Sequence, residues 1–132
     1  MICFGMATVL VIDDDPGFRD VLGRFLASLG AHVCSAGDGA EGLAVLATGV
    51  PLDLILLDLD MPVMGGREFL DARRAEPAWA AIPAIVLSGA SRRGPVAGAA
   101  AVVGKGDPLD ILLDVLGRFL PLAGRDTALA AG

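Results

Sequence analysis

Acidic residues of this chain cluster where two short apolar runs end. Asp13, Asp14 and Asp15 follow the run ATVLVI, and the pair Asp58 and Asp60 follows LILL. Carboxylate oxygens are the ligands that hard divalent cations take in proteins, and an aspartate can also attack phosphorus as a nucleophile. The acids therefore predict a cation site and a candidate nucleophile, provided that the fold brings the two groups together.

A hydroxyl and an ammonium group follow the next two apolar runs. Ser88 comes after AIVL, and Lys105 comes after AVVG. Both side chains can stabilise the oxygens of a phosphoryl group, by a hydrogen bond and by a positive charge. Lys105 offsets only one of the negative charges, and close like charges raise each other's pKa. We therefore predict a bound Mg²⁺, which suits a site of few carboxylates plus phosphate and water.

The apolar runs have the length and composition of strands that are buried on both faces of a parallel sheet. Helix-period segments separate them, which gives the order βαβαβαβ(α)βα and predicts an α/β fold with a doubly wound, five-stranded parallel sheet. Ligands bind at the carboxyl edge of such sheets, where all the polar residues above would lie. The predicted strands are 7–12, 31–36, 52–57, 84–87 and 101–104, and the predicted helices are 18–29, 38–46, 66–75 and 108–120.

The segment Gly89–Gly104 separates Ser88 from Lys105. If its last four residues are strand, twelve remain, which is close to the minimum for a crossover between parallel strands. The segment contains Gly94, Pro95 and Gly98, all of which are unfavourable in a helix interior. We therefore predict a short or degenerate fourth helix there, with at most a turn or two from Val96 to Ala100.

Length and charge narrow the function classes. The 132 residues, 55% of them hydrophobic, predict one domain with its core at about 6–122 and a tail at 123–132. The net charge of −6 disfavours direct binding to nucleic acid or to an anionic membrane. No apolar run approaches the roughly 20 residues of a membrane span, and the apolar start does not resemble a signal peptide. We therefore expect a cytoplasmic protein.

Asp15 and His32 could take part in metal or phosphoryl chemistry, but each has a structural interpretation. Asp15 precedes Pro16, a pair typical of a helix N-cap followed by the first helical position. His32 lies in a predicted strand, whereas a phosphodonor histidine would be exposed on a helix. We therefore expect any donor histidine to come from another protein.

Four motifs occur in an order that is similar to the receiver domain family of two-component response regulators. They are VLVIDDDP, LILLDLDMPVMGG, IVLSGA and VVGK, and the resemblance covers roughly residues 6–122. It implies a flavodoxin-like strand order of 2-1-3-4-5 and transfer of a phosphoryl group from a sensor histidine kinase or a histidine phosphotransfer protein. It further implies signalling through protein–protein contacts as a monomer or weak dimer, with no enzymatic activity beyond self-catalysed phosphotransfer and slow hydrolysis.

The resemblance assigns roles to the acids one by one. Asp58 matches the phosphoacceptor, which is also a metal ligand. Asp14 matches the direct Mg²⁺ ligand, and Asp13 matches the acid that reaches the metal mainly through water. The backbone carbonyl of Asp60 matches the remaining protein ligand.

The same resemblance assigns the phosphoryl-binding groups, and the sequence departs from the family beside them. Ser88 matches the hydroxyl that bonds the phosphoryl group, and Lys105 matches the lysine that pairs with it. The family usually has proline after this lysine and often an aromatic three residues before it, where this chain has Gly106 and Val102. Together with the short crossover, these departures lead to the hypothesis of a competent phosphoacceptor with non-standard output.

Two other functions stay open at this point. Asp58-Leu59-Asp60 also resembles the haloacid-dehalogenase phosphatase motif, but that family places its nucleophile after the first strand and its acid pair late. A receiver-like binding module that no longer needs phosphate is the second alternative, and the short crossover and Gly106 motivate it.

Overall fold

The computed structural model describes residues 7–89 and 95–120. They form five strands and five helices in the order β1, α1, β2, α2, β3, α3, α4, β4, β5, α5. The strands are β1 (Thr8–Ile12), β2 (His32–Ala36), β3 (Leu54–Asp58), β4 (Ala84–Ser88) and β5 (Ala101–Gly104). The helices are α1 (Pro16–Ser28), α2 (Gly39–Ala47), α3 (Gly66–Arg74), α4 (Pro77–Ala80) and α5 (Leu109–Phe119).

The strands form one parallel sheet in the order β2-β1-β3-β4-β5. Every residue of β3 and β4 is buried, because helices cover both faces of the sheet. On one face, α1 and α5 pack side chains such as Leu26 and Leu116 against Val9. On the other, α2 and α3 bring in Leu46 and Phe69. The predicted fold class and strand order are confirmed.

The predicted elements occur with shifts of one or two residues at most ends, and one short helix was not predicted. Helix α4 is a single turn with Pro77 at its start, in the connection from α3 to β4. Four residues are too few to show a helical period, so the sequence pattern carries no signal for it.

The crossover from β4 to β5 is described only at Gly89 and from Pro95 onward; residues 90–94 lie outside the described residues. From 95 to 100 it forms a turn rather than a helix, with the Ala99 amide donating to the Val96 carbonyl at 3.0 Å. Gly98 has a φ of 87°, a backbone conformation that glycine adopts without strain. This agrees with the prediction of a degenerate helix there.

A buried arginine ties this crossover to α3. Arg73 is 4% exposed, and its guanidinium donates to the carbonyl oxygen of Ile82 at 2.6 Å and to those of Ala80 and Gly98 at 3.2 and 3.4 Å. Five N–H donors in a fixed plane allow one side chain to bridge several backbone carbonyls. Val96, itself buried, packs on the same face of the sheet as Phe69. Arg73 and the packing of Val96 thus tie the described part of the crossover to α3.

We expect Arg73→Met to lower the free energy of unfolding by roughly 1–3 kcal/mol, because the carbonyls that it satisfies would lose their donor. Urea denaturation measures the change. Arg67→Met on the exposed side of the same helix is the matched control and should cost less than about 0.5 kcal/mol. Equal stabilities of the two variants would contradict the bridging role.

Candidate phosphoryl and metal site

The predicted site residues meet at the carboxyl edge of four adjacent strands. Asp13 follows β1, Asp58 ends β3, Ser88 ends β4 and Lys105 follows β5. Asp13, Asp58 and Ser88 are 2%, 7% and 3% exposed, and the Lys105 side chain is 22% exposed. Because parallel strands end on the same side, four distant segments place their first polar residue together.

Three carboxylates crowd one corner of this edge. One oxygen from each of Asp13, Asp14 and Asp58 lies within 4.8 Å of the others. Asp14 is exposed, so the cluster opens to solvent on that side. Three hard oxygen donors around a small space, open to water, fit a hard divalent cation such as Mg²⁺.

Lys105 is close to two of the three acids. Its Nζ lies 2.7 Å from Oδ2 of Asp13 and 3.6 Å from Oδ2 of Asp58. The other oxygen of Asp13 accepts the amide of Asp15 at 2.9 Å, and the Asp13 carbonyl accepts Nη1 of Arg19 at 2.6 Å. Asp13 is therefore firmly held, and it is the main partner of Lys105. The contact between Asp58 and the ammonium is longer and therefore weaker.

The pKa of Asp58 is raised, mainly because its carboxyl group is buried. Burial raises the pKa of Asp58 to about 6, against an ordinary value of 3.8, and the neighbouring charge of Asp13 adds to the rise. Lys105 opposes the rise but does not cancel it. Burial lowers the pKa of Lys105, but its hydrogen bond to Asp13 and the two carboxylate charges outweigh that effect and raise it overall. The lysine stays charged, and a further cation would favour ionised Asp58.

The turn after β1 is built by Asp15. Its side chain accepts the amides of Gly17 and Phe18 at 2.9 and 3.2 Å, and Pro16 occupies the first helical position. The N-cap interpretation is confirmed. The cap sets the direction of α1, which begins directly beside the acid cluster.

The loop after β3 depends on Gly66 at the start of α3. A Cβ at this position would lie 2.5 Å from the Asp58 carbonyl oxygen and 2.8 Å from Cα of Leu59. The absence of a side chain thus lets α3 begin against the end of β3. Asp60 lies in this loop, exposed, with its amide 3.5 Å from Oδ1 of Asp58.

One residue beside the site had no role in the sequence analysis. The ring of Phe18, on the first turn of α1, has the Lys105 Nζ over it at 4.5 Å from the centroid. Phe18 is the first residue of the helix predicted at 18–29, and nothing in a helical period indicates a lysine above its ring.

Residues 9–110 match the sequence model of the response regulator receiver domain. The chain belongs to this family. The strand order is the one that the resemblance implied. Receiver domains are signalling domains rather than classical enzymes.

Solved structures share the receiver fold over most of the chain. The chemotaxis protein CheY4 of Vibrio cholerae has a TM-score of 0.78 and 33% identity, covering 88% of this chain and 100% of that one. The response regulator TrrA of Thermotoga maritima, in complex with Mg²⁺ and BeF, has a TM-score of 0.77 and 30% identity, covering 87% and 100%.

A curated relative is much longer. The gliding motility regulatory protein of Myxococcus xanthus is 35% identical over 117 residues, which are 84% of this chain and 15% of that protein. The chain thus spans a small part of that relative.

The raised pKa of Asp58 predicts a pH dependence in the metal-free receiver. Between pH 3.8 and about 6 the folded state binds more protons at Asp58 than the unfolded chain does. The contribution of this group to stability is therefore lost as the pH rises through that window. Asp58→Asn removes the effect, so the variant should exceed the wild type by on the order of 1–2 kcal/mol above pH 6 and match it more closely near pH 4.

Urea denaturation in EDTA from pH 4 to 7.5 measures the difference in unfolding free energy between the wild type and Asp58→Asn. Groups that titrate equally in both proteins cancel in this difference. Glu68→Gln, at an exposed site on α3, is the control and should show no such trend. A wild-type minus Asp58→Asn difference that stays flat over the window would contradict the environment described for Asp58.

Proposed function

We propose that this receiver domain accepts a phosphoryl group on Asp58 from the phosphohistidine of a sensor histidine kinase or histidine phosphotransfer protein, in an Mg²⁺-dependent reaction. The observation that carries the proposal is the position of Asp58. Its carboxylate lies between two further acids and a lysine, at the carboxyl edge of the sheet.

In the transfer step, a carboxylate oxygen of Asp58 attacks the phosphorus of the donor. A P–O bond forms and the P–N bond breaks, and the electron pair of that bond goes to the imidazole nitrogen, which takes a proton from solvent. The product is an acyl phosphate, and water later attacks its phosphorus to release inorganic phosphate and regenerate the carboxylate. Positioning and charge neutralisation provide most of the rate in such transfers.

The acids would hold the metal ion. Asp14 and Asp58 offer carboxylate oxygens, Asp60 its backbone carbonyl, and Asp13 an oxygen through water. Bound Mg²⁺ would offset the repulsion between the Asp58 carboxylate and the incoming phosphoryl group. The closeness of the Asp13, Asp14 and Asp58 carboxylates supports this assignment.

Ser88 and Lys105 would bind the transferred group. The Ser88 hydroxyl, at the end of the strand next to Asp58, would donate to a phosphoryl oxygen. Lys105, already 3.6 Å from Asp58, would move from Asp13 to the phosphoryl oxygens. Both interactions strengthen as charge accumulates on these oxygens.

The output is proposed to be non-standard and to run through protein–protein contacts. The described part of the β4–β5 crossover is a turn held by Arg73, and residue 102 is a valine. We therefore expect the phosphorylated domain to remain a monomer or weak dimer. A tight phosphorylation-dependent dimer through this crossover and α5 would count against the proposal.

The cellular setting follows from the proposed donor. A kinase partner of this class would phosphorylate the domain in the cytoplasm, without direct contact to nucleic acid or membrane. Among the described residues, none of the helices has the length and apolar character needed to cross a bilayer. We further propose that residues 6–122 form one receiver core.

Beryllofluoride with Mg²⁺, a mimic of the acyl phosphate, tests the proposal. Saturating amounts should raise the Tm by roughly 5–10 °C, because the ligand binds the folded state alone. The rise should vanish in Asp58→Asn and persist in Asp110→Asn, an exposed acid of α5. Phosphorylation by acetyl phosphate, followed by mass spectrometry, should show the same dependence.

The alternative of a binding module that does not use phosphate makes the opposite prediction. The Lys105-Gly106 sequence and the short crossover favour it. A protein that shows no Tm change with beryllofluoride at millimolar Mg²⁺, and no mass increase with acetyl phosphate, would overturn the phosphoacceptor assignment.

A further inference from the structure

The Lys105 ammonium has one contact that is neither charged nor able to titrate. Besides Asp13 and Asp58, its Nζ faces the ring of Phe18, 4.5 Å from the centroid. An ammonium within about 6 Å of a ring face is attracted by the negative face of the π system. Lys105 is therefore held between two carboxylates and an aromatic face.

The ring of Phe18 is itself firmly placed. Its amide bonds the Asp15 cap, which fixes the first turn of α1. The half-buried side chain packs against the core between the sheet, α1 and α5. It lines a groove of about 280 Å³ together with Phe25, Val103 and Lys105. The ring thus lies at the edge of the site on a backbone that the cap holds in place.

The backbone around Lys105 does little to aim its side chain. The Lys105 amide donates to the Ser88 carbonyl at 2.9 Å, which fixes only the start of the side chain. The next residue is Gly106, and a Cβ there would meet nothing within 4 Å. A lysine stem has four rotatable bonds, so the place of the ammonium depends on what its far end touches.

The two carboxylate contacts change during the reaction proposed above. A cation at the acid cluster would draw Asp13 away from Lys105, and a phosphoryl group on Asp58 would offer new oxygens. The Phe18 ring neither binds the cation nor changes charge, so its contact with the ammonium can persist. The attraction is spread over the ring face, which allows a small lateral movement of the ammonium.

We propose that Phe18 is a positioning residue that keeps the Lys105 ammonium at the site while its anionic partner changes from Asp13 to the phosphoryl group on Asp58. The inference rests on the proposed phosphoacceptor function. In this role the aromatic side chain of Phe18 on α1 orients the Lys105 side chain toward the site.

Fluorination of the ring tests this, because each fluorine weakens the negative ring face with little change in shape. Phenylalanine with one, two, three and five fluorines would be placed at position 18, and the rate of phosphorylation by acetyl phosphate measured at saturating Mg²⁺. The logarithm of the rate should fall steadily, to a total loss of roughly three- to fivefold, and Phe18→Leu should lose about as much. Phe18→Trp should retain the wild-type rate or exceed it.

Two controls separate positioning from packing. The same series at Phe25, which lies two turns further along α1 and lines the same groove, should leave the rate unchanged. The series at position 18 in the Lys105→Met background should also be flat, since the ring then has no cation to hold. If the logarithm of the rate still falls with the number of fluorines in Lys105→Met, Phe18 acts through packing and the proposal is wrong. A rate that does not change along the series in the wild-type background would also overturn the proposal.

Stability of the metal-free protein provides a second measurement if Lys105→Met reacts too slowly to follow. Urea unfolding midpoints should decrease along the fluorine series only when Lys105 is present. This measurement needs no phosphorylation, so it distinguishes the two ideas. A wild-type protein that does not become phosphorylated would overturn the proposed function. If the urea midpoint changes equally with the number of fluorines in the presence and absence of Lys105, the inference about Phe18 is wrong.

Discussion

The site is organised by the repulsion among three carboxylates at the ends of β1 and β3. Asp13, Asp14 and Asp58 are closer than their charges favour, and two of them are largely removed from water. One lysine offsets part of this charge, and it contacts Asp13 more closely than Asp58. Burial, with a smaller contribution from the charge of Asp13, raises the pKa of Asp58 despite the positive charge of Lys105. A site with this imbalance is ready for a divalent cation.

The sheet supplies the rigidity that such repulsion requires. Asp58 ends a strand buried along its full length, and Gly66 lets α3 begin directly behind it. Asp13 is held at both its carboxylate and its carbonyl by the first turn of α1. Because these contacts fix the backbone on both sides of the cluster, the repulsion can be relieved by a bound cation or by protonation of Asp58. The same frame would keep Asp58 in line with an incoming phosphoryl group.

The face beyond β4 is held by a different kind of contact. Arg73 is buried and bonds backbone carbonyls of the α4–β4 connection and of the crossover. Val96 fills the space beside Phe69. An arginine without an acidic partner in these contacts stabilises the crossover through geometry rather than charge. This arrangement ties to α3 the described part of the crossover that leads into β5 and Lys105.

The amino-acid sequence by itself determined the sheet, its helices and the set of residues at its edge. Strands are short continuous apolar runs, the Asp15-Pro16 cap is local, and the acids follow the strands directly, so burial and near-neighbour hydrogen bonds suffice to predict them. The family resemblance added the strand order. Only the tertiary structure decided that Lys105 pairs first with Asp13, that Phe18 lies under its ammonium and that Arg73 reaches the crossover. Those contacts join distant segments whose spacing depends on strand register and helix packing, and no local pattern encodes them.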